Sequence, residues 1–243
     1  MDADWSVELG HDDPALEFPW SSPDGSHRFV DLTLRSEALS ELPEATRYPE
    51  LGEFLLAMNA LSSPWLTVKC DVWAEKEDAP ESVLKRHRFS CAENALYSCH
   101  SEWASAHEES AFPRSVALSE AGPLQSADSG VKFCSYVDLV FRDDDPRFCF
   151  ARHEQWVKLA ARNLSTDDQQ PVACEFIVRR CWYRTELDPD CSQATAMSAV
   201  EDPTPGFYVT FYLFGYGNDE AEARTRWVEG LRQVTCLLTG LAP

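Results

Sequence analysis

Apolar and polar residues alternate along several stretches of the chain, and this alternation predicts most of a β-sheet. Turn residues at Ser22-Pro-Asp-Gly25 and at Arg142-Asp-Asp-Asp-Pro146 predict two hairpins, because Pro and Gly supply the backbone angles that a tight turn needs. The predicted strands are Ala15–Phe18, Arg28–Leu34, Trp65–Trp73, Arg86–Ser90, Val131–Phe141, Arg147–Phe150, Val172–Tyr183 and Phe207–Phe214.

Four other stretches have apolar residues at helical spacing: Pro49–Leu61, Ala92–His107, His153–Leu164 and Asp219–Leu238. Either Asn218 or Asp219 is suited to cap the last of them, after a turn at Gly215-Tyr-Gly217. Strands and helices do not alternate regularly along the chain. We therefore expect an α+β fold, a mostly antiparallel sheet covered by about four helices.

The order of these elements repeats loosely in two halves, residues 14–110 and 131–240, joined by a polar loop at 111–130. Each half places a Val-Asp-Leu tripeptide before a helix, at Val30 and at Val137. One shared tripeptide is expected by chance in a chain of 243 residues, so it is no evidence of duplication by itself. We expect a single domain over residues 1–243 and leave the duplication open.

Composition indicates a folded and strongly acidic protein. Hydrophobic residues make up 44% of the chain, more than disordered acidic chains contain. The 41 Asp and Glu residues exceed the 21 Lys and Arg residues, which gives a net charge of −20. Residues 1–60 hold 13 acidic and 3 basic residues, so 13 − 3 leaves a net −10 there. Such a surface repels nucleic acid and anionic membranes and attracts basic proteins.

Nothing in the sequence predicts export or membrane insertion. The segment after Met1 lacks the basic and apolar regions of a signal peptide, and no apolar run approaches the roughly 20 residues of a membrane helix. Nine cysteines are an odd number and too few for a disulfide scaffold. We expect a cytoplasmic protein with reduced cysteines.

Metal motifs lack the spacing that their chemistry requires. His107 and His153 are each followed by Glu, as in zinc proteases, but neither has the second His four residues on. The dense group Cys91, Cys99, His100 and His107 has no paired spacing of the kind that structural zinc uses. We expect no metal, while the sequence leaves open whether these four side chains approach one another.

Two further motifs have simpler structural interpretations. Gly215-Tyr-Gly217 precedes a helix, where phosphates bind, but it lacks a third Gly, and acids at the helix start would repel a phosphate. Asp143-Asp-Asp145 has oxygen ligands for a hard cation, but Asp and Pro are also the usual turn residues. We interpret it as a turn, and we expect no cofactor.

Four residues are candidates for catalysis. Asp31 and Asp138 each interrupt an apolar strand, and together they could act as acid and base. The alternative is that each faces solvent on a half-exposed sheet. Arg180 and Arg184 share a strand face with Trp182 and could clamp a carboxylate or phosphate. The alternative is that they pair with the chain's own surplus acids.

The leading hypothesis is a binding protein, not an enzyme, whose acidic face engages a basic protein partner, as an inhibitor or immunity-type protein or as an assembly subunit. An enzyme of unidentified class, with a site near Asp31, Asp138, Arg180 and Arg184, is the alternative. A scaffold that self-associates as a homo-oligomer is the third. The acids expected to bind the partner lie in the N-terminal quarter: Asp12, Asp13, Glu17, Asp24, Glu41 and Glu44.

Overall fold

A six-stranded sheet forms the frame of the molecule, in the order β1-β5-β6-β4-β3, with β2 also paired to β5. The computed structural model describes residues 1–22, 29–77, 130–165, 171–184 and 202–240. The strands are β1 Asp2–Glu8, β2 Ala15–Phe18, β3 Trp65–Glu77, β4 Gly130–Phe141, β5 Val172–Tyr183 and β6 Thr204–Gly217. The helices are α1 Pro43–Arg47, α2 Pro49–Asn59, α3 Asp144–Arg147, α4 Phe150–Leu164 and α5 Glu220–Gly240, with a 3-10 helix at Ser36–Glu41.

The centre of the sheet is antiparallel and one edge is parallel. β6 pairs antiparallel with both β4 and β5, whereas β1 and β2 run parallel to β5, one after the other along its length. The α+β fold with a mostly antiparallel sheet is therefore confirmed. The three longest described helices, α2, α4 and α5, pack on one face of the sheet.

Strand alternation builds the core on that face. Val209, Phe211 and Leu213 of β6 point to the helices, as does every second residue of β4 and β5. Trp65 stacks on Phe141 with ring centroids 4.1 Å apart. Helix residues complete this core: Leu51, Phe54, Leu55, Met58, Trp156, Val157, Ala160, Trp227, Leu231, Val234 and Leu238.

The helix α5 begins as predicted, with Asp219 as its cap. The Asp219 carboxylate accepts a hydrogen bond from the backbone N–H of Glu222 at 2.8 Å. The predicted turn at residues 215–217 is wrong, because these residues belong to β6. A Cβ on Gly215 would lie 2.3 Å from the carbonyl oxygen of Ala223 and 2.5 Å from the nitrogen of Trp227. The glycine is needed because the helix backbone lies directly on the strand.

The second predicted hairpin is wrong, and so is the strand predicted at 28–34 in its described part. Residues 32–34 form a turn, and β2 pairs with β5. The predicted turn at 22–25 lies mostly outside the described residues. Residues 147–150 lead from α3 into α4, and β4 pairs with the distant strand β6. The predicted turn after β4 is the short helix α3. The predicted strands Trp65–Trp73 and Val172–Tyr183 and the helices at 49–61 and 153–164 are present, with ends shifted by a few residues at most.

The chain divides into two compact units, residues 1–76 with 131–243, and residues 77–130. All the elements above lie essentially in the first unit. The predicted strand Arg86–Ser90, the helix Ala92–His107 and most of the polar loop at 111–130 lie outside the described residues, so duplication stays a prediction. The shared tripeptide does not support it, because Val30 lies in a loop and Val137 in β4. No helix in the described part is long and apolar enough to cross a membrane.

Candidate functional site

A row of polar side chains crosses the sheet on the face opposite the helices. The strand register places Asp138 of β4 opposite Thr210 of β6, and Glu8 of β1 opposite Arg179 of β5. Asp138, Thr210 and Arg179 are all buried. Four strands therefore contribute to one group of polar side chains, which we call the polar row.

Hydrogen bonds connect the polar row from end to end. The Thr210 hydroxyl donates to Oδ1 of Asp138 at 2.6 Å and accepts from Nη1 of Arg179 at 3.0 Å. The same Nη1 lies 3.3 Å from the Tyr212 hydroxyl oxygen. Nε and Nη2 of Arg179 both reach Oε2 of Glu8 at 2.7 Å. Each buried charge thus has a partner, as burial of a charge requires.

Burial shifts the pKa values of groups in and beside the polar row. It raises the pKa of Asp138, while the Thr210 hydrogen bond and the positive charges of Arg179 and Lys69 oppose that rise. Burial also raises the pKa of the Tyr208 phenol on the same face, so this hydroxyl stays neutral. Raised carboxyl pKa values in a connected cluster occur at functional sites and also in structural networks. Chemically, a protonated Asp138 could donate a proton, with Thr210 linking it to the guanidinium.

The polar row contains one of the predicted catalytic residues. Asp138 points to the sheet face opposite that of its neighbours Val137 and Leu139, as the alternation predicts. It is buried there rather than exposed to solvent. Asp31 lies in a turn, where its carboxylate accepts the backbone N–H of Thr33 at 2.8 Å. Asp31 is therefore not on a strand as predicted, and its joint acid–base role with Asp138 stays a hypothesis.

Arg180 and Arg184 lie away from Asp138. Arg180 points to the sheet face opposite that of Arg179, and it donates to the backbone carbonyl of Gly10. Arg184 forms an ion pair with Glu17 at 2.9 Å. Arg184 thus pairs with an acid of the chain itself, which is the alternative considered from the sequence, whereas Arg180 bonds to a backbone carbonyl.

The predicted binding acids are spread over several elements. Asp12 and Glu17 are exposed, one in the loop after β1 and the other on β2, and Asp13 accepts from the backbone N–H of Gly10. Glu41 pairs with Arg35 at 2.9 Å. Glu44 is half-buried in α1, and Asp24 lies outside the described residues.

A shallow depression of about 700 Å³ lies at the end of β4. Asp143, Asp144 and Asp145 line it together with Arg142, Cys149 and Arg152 among others. Asp144 pairs with Arg147 at 2.9 Å. Across the residues that the structure describes, no three His, Cys, Asp or Glu side chains are grouped as metal ligands. Cys91, Cys99, His100 and His107 lie outside those residues.

Arg179 and Thr210 are the residues that sequence reasoning missed. The signal was present in β6, where Tyr208, Thr210 and Tyr212 alternate with the apolar residues of the core face. A polar stripe in so apolar a strand indicates a buried polar contact on its second face. Strand alternation also places Arg179 on the sheet face opposite that of Arg180, which is the face of this polar stripe.

Comparison with protein-family models, curated proteins and solved structures found no match to this chain.

Proposed function

We propose that this chain is an acidic binding protein that engages a basic protein partner, as an inhibitor or immunity-type protein or as a subunit of an assembly. The proposal rests on charge. A net charge of −20 on one chain raises the association rate with basic partners and rejects acidic competitors.

The observation that carries the proposal is that cationic side chains form ion pairs and hydrogen bonds within the chain. Many of those that the structure describes are engaged within the chain, which reduces the positive surface that they offer to an acidic partner. Ion pairs among the described residues include Arg35–Glu41, Lys132–Glu75, Arg147–Asp144, Lys158–Glu154, Arg179–Glu8, Arg184–Glu17, Arg224–Glu50 and Arg226–Glu222. Arg142 is held by backbone carbonyls instead.

Capture from the native lysate at low and moderate salt, followed by mass spectrometry, tests this function. We expect a stoichiometric basic protein that is released as salt rises, because salt screens exposed charges. Recovery of acidic proteins only, or of nothing at low salt, would contradict the proposal.

An enzyme with a buried site is the second candidate, and the polar row favours it. Asp138, with its raised carboxyl pKa, lies one hydroxyl away from Arg179. A thermal-shift screen of small metabolites, repeated with Asp138→Asn, tests this candidate. Hits that disappear in the variant would support it, whereas hits that persist, or a screen without hits, would count against it.

A further inference from the structure

The strand β1 lies at one edge of the sheet. Among the strands that the structure describes, it pairs with β5 alone, in parallel. It also packs on α4, and the Ser165 hydroxyl after that helix donates to the carbonyl oxygen of Ala3 at 3.0 Å. An edge strand opens more easily than a central one, because only one side of its backbone is paired within the sheet.

The two ends of β1 meet opposite charges on β5. Near its end, Glu8 lies opposite Arg179, whose Nε and Nη2 both reach Oε2 of Glu8 at 2.7 Å. Near its start, Asp4 lies opposite Glu175, which is also an acid. Both pairs lie on the face of the polar row, since aligned residues of paired strands share a face. Like charges directly opposite each other destabilise strand pairing, so β5 attracts one end of β1 and repels the other.

The surroundings of Glu175 offset little of its charge. Its carboxylate is half-buried and accepts a hydrogen bond from the Ser6 hydroxyl at 3.3 Å. Arg179 lies on the same face of β5 but is already bonded to Glu8. On β6, Tyr212 lies opposite Glu175, and burial raises the pKa of this phenol, which therefore stays neutral.

Asp4 does not pair with a cation in the described part of the chain. Its Oδ1 accepts the backbone N–H of Trp5 at 2.8 Å. Lys158 of α4 lies 4.8 Å from the centroid of the Trp5 ring, on the other face of the sheet, and pairs with Glu154. The repulsion between Asp4 and Glu175 is thus built into the strand register.

The proton affinity of Glu175 depends on β1. Burial raises the pKa of this carboxyl, and the charges of Glu8 and Asp4 raise it further. The Ser6 hydrogen bond and the charge of Arg179 oppose that rise. Release of β1 would remove part of the burial and both acidic neighbours, so the pKa would return towards its ordinary value. A proton on Glu175 therefore favours the attached strand, and loss of the proton favours the open one.

We propose that Asp4 and Glu175 form a pH-sensitive latch, which loosens the first half of β1 from β5 when both carboxylates are charged and closes when one of them takes up a proton. The ion pair of Glu8 with Arg179 keeps the second half attached, so the opening is local. The latch is a property of the fold and does not depend on the proposed function.

Hydrogen exchange of the full chain, read by mass spectrometry from a peptide that covers Asp2–Glu8, tests the latch. After correction for the intrinsic exchange rate, we expect exchange in β1 to slow roughly threefold relative to β6 as the pH falls from 7 towards 4.5. The amides of β6 report opening of the whole sheet. The ratio therefore removes the effect of acid on global stability.

Two isosteric variants remove the repulsion. Glu175→Gln and Asp4→Asn keep the oxygens that accept from Ser6 and from the Trp5 N–H. Each should slow exchange in β1 roughly threefold at pH 7 and remove most of its pH dependence, and the double variant should add little, because the pair interaction is lost only once. The control Glu229→Gln makes the same change at an exposed position of α5 and should behave as the wild type.

Three results would overturn the latch. The first is a wild-type ratio of β1 to β6 exchange that does not change with pH. The second is a Glu175→Gln variant with the same pH dependence as the wild type. The third is faster exchange of β1 in that variant at pH 7, because the carboxylate would then hold the strand in place.

Discussion

Asp138 and Arg179 lie on strands that do not pair with each other, and the hydroxyl of Thr210 on the strand between them bonds to both. This bridge has a 2.6 Å contact to the carboxylate and a 3.0 Å contact to the guanidinium. Because the three residues are buried, the bridge fixes the register of β4, β6 and β5 on one face.

Replacing Thr210 by Val should destabilise the protein by about 2 kcal/mol, since a buried carboxyl and a buried N–H each lose a partner. Urea unfolding at pH 7 measures the change. Thr225→Val is the matched control, because it makes the same change at an exposed position of α5. A Thr210→Val variant as stable as the wild type would show that the bridge does not hold the strands.

Asp138→Asn should leave the stability at pH 7 unchanged or raise it. The folded-state pKa of Asp138 lies above the unfolded value of 3.8, so the folded protein binds the proton more tightly. The charged form therefore costs stability at pH values above 3.8, and the cost disappears below both pKa values. The advantage of the variant should shrink as the pH falls towards 3.8 in urea titrations. Strong destabilisation of the variant at pH 7 would contradict a raised pKa of Asp138.

His153 should make the protein sensitive to acid. Its imidazole is buried against Phe141 and Phe207, and burial lowers its pKa from 6.5 to about 4. The unfolded chain therefore takes up the proton at a higher pH than the folded protein. Between pH 6.5 and 4 this residue should lower the free energy of unfolding by about 3 kcal/mol in total.

His153→Phe should remove that part of the pH dependence, whatever its effect on stability at pH 7. Stability curves against pH check this, with the exposed His11→Gln as the matched control. An unchanged slope in His153→Phe would show that another group titrates in this range.

Gly215→Ala should destabilise the protein by about 3 kcal/mol or more, because the new methyl group would meet the backbone of α5 rather than a movable side chain. Gly240→Ala is the matched control, since a Cβ there has nothing within 4 Å. Thermal unfolding compares the two. Equal melting temperatures for both variants would contradict the close approach of α5 to β6.

Local patterns predicted the elements better than their partners. The alternation in residues 172–183 placed β5 correctly, since every second side chain enters the core. The second hairpin failed because turn residues such as Pro146 also start helices, and because β4 finds its partner far away in the chain. A contact such as that of Glu8 with Arg179 depends on the strand order, which local sequence does not determine.

For the candidate site too, single residues could be predicted from the sequence but their partners could not. Asp138 could be singled out from its place in an apolar strand, and the face it points to was predicted correctly. Its partners could not, since Thr210 and Arg179 reach it only through the order of β4, β6 and β5.

The association rate with the basic protein recovered from the lysate, measured across a range of salt concentrations, tests the proposed function most directly. The variant Asp12→Lys with Glu41→Lys changes the net charge as much as the control Glu53→Lys with Glu229→Lys. We predict a wild-type rate that falls steeply with salt, a slower rate with a flatter salt dependence for the first variant, and a smaller change for the control. A rate that is independent of salt in the wild type and the same in all three proteins would contradict an acidic binding face.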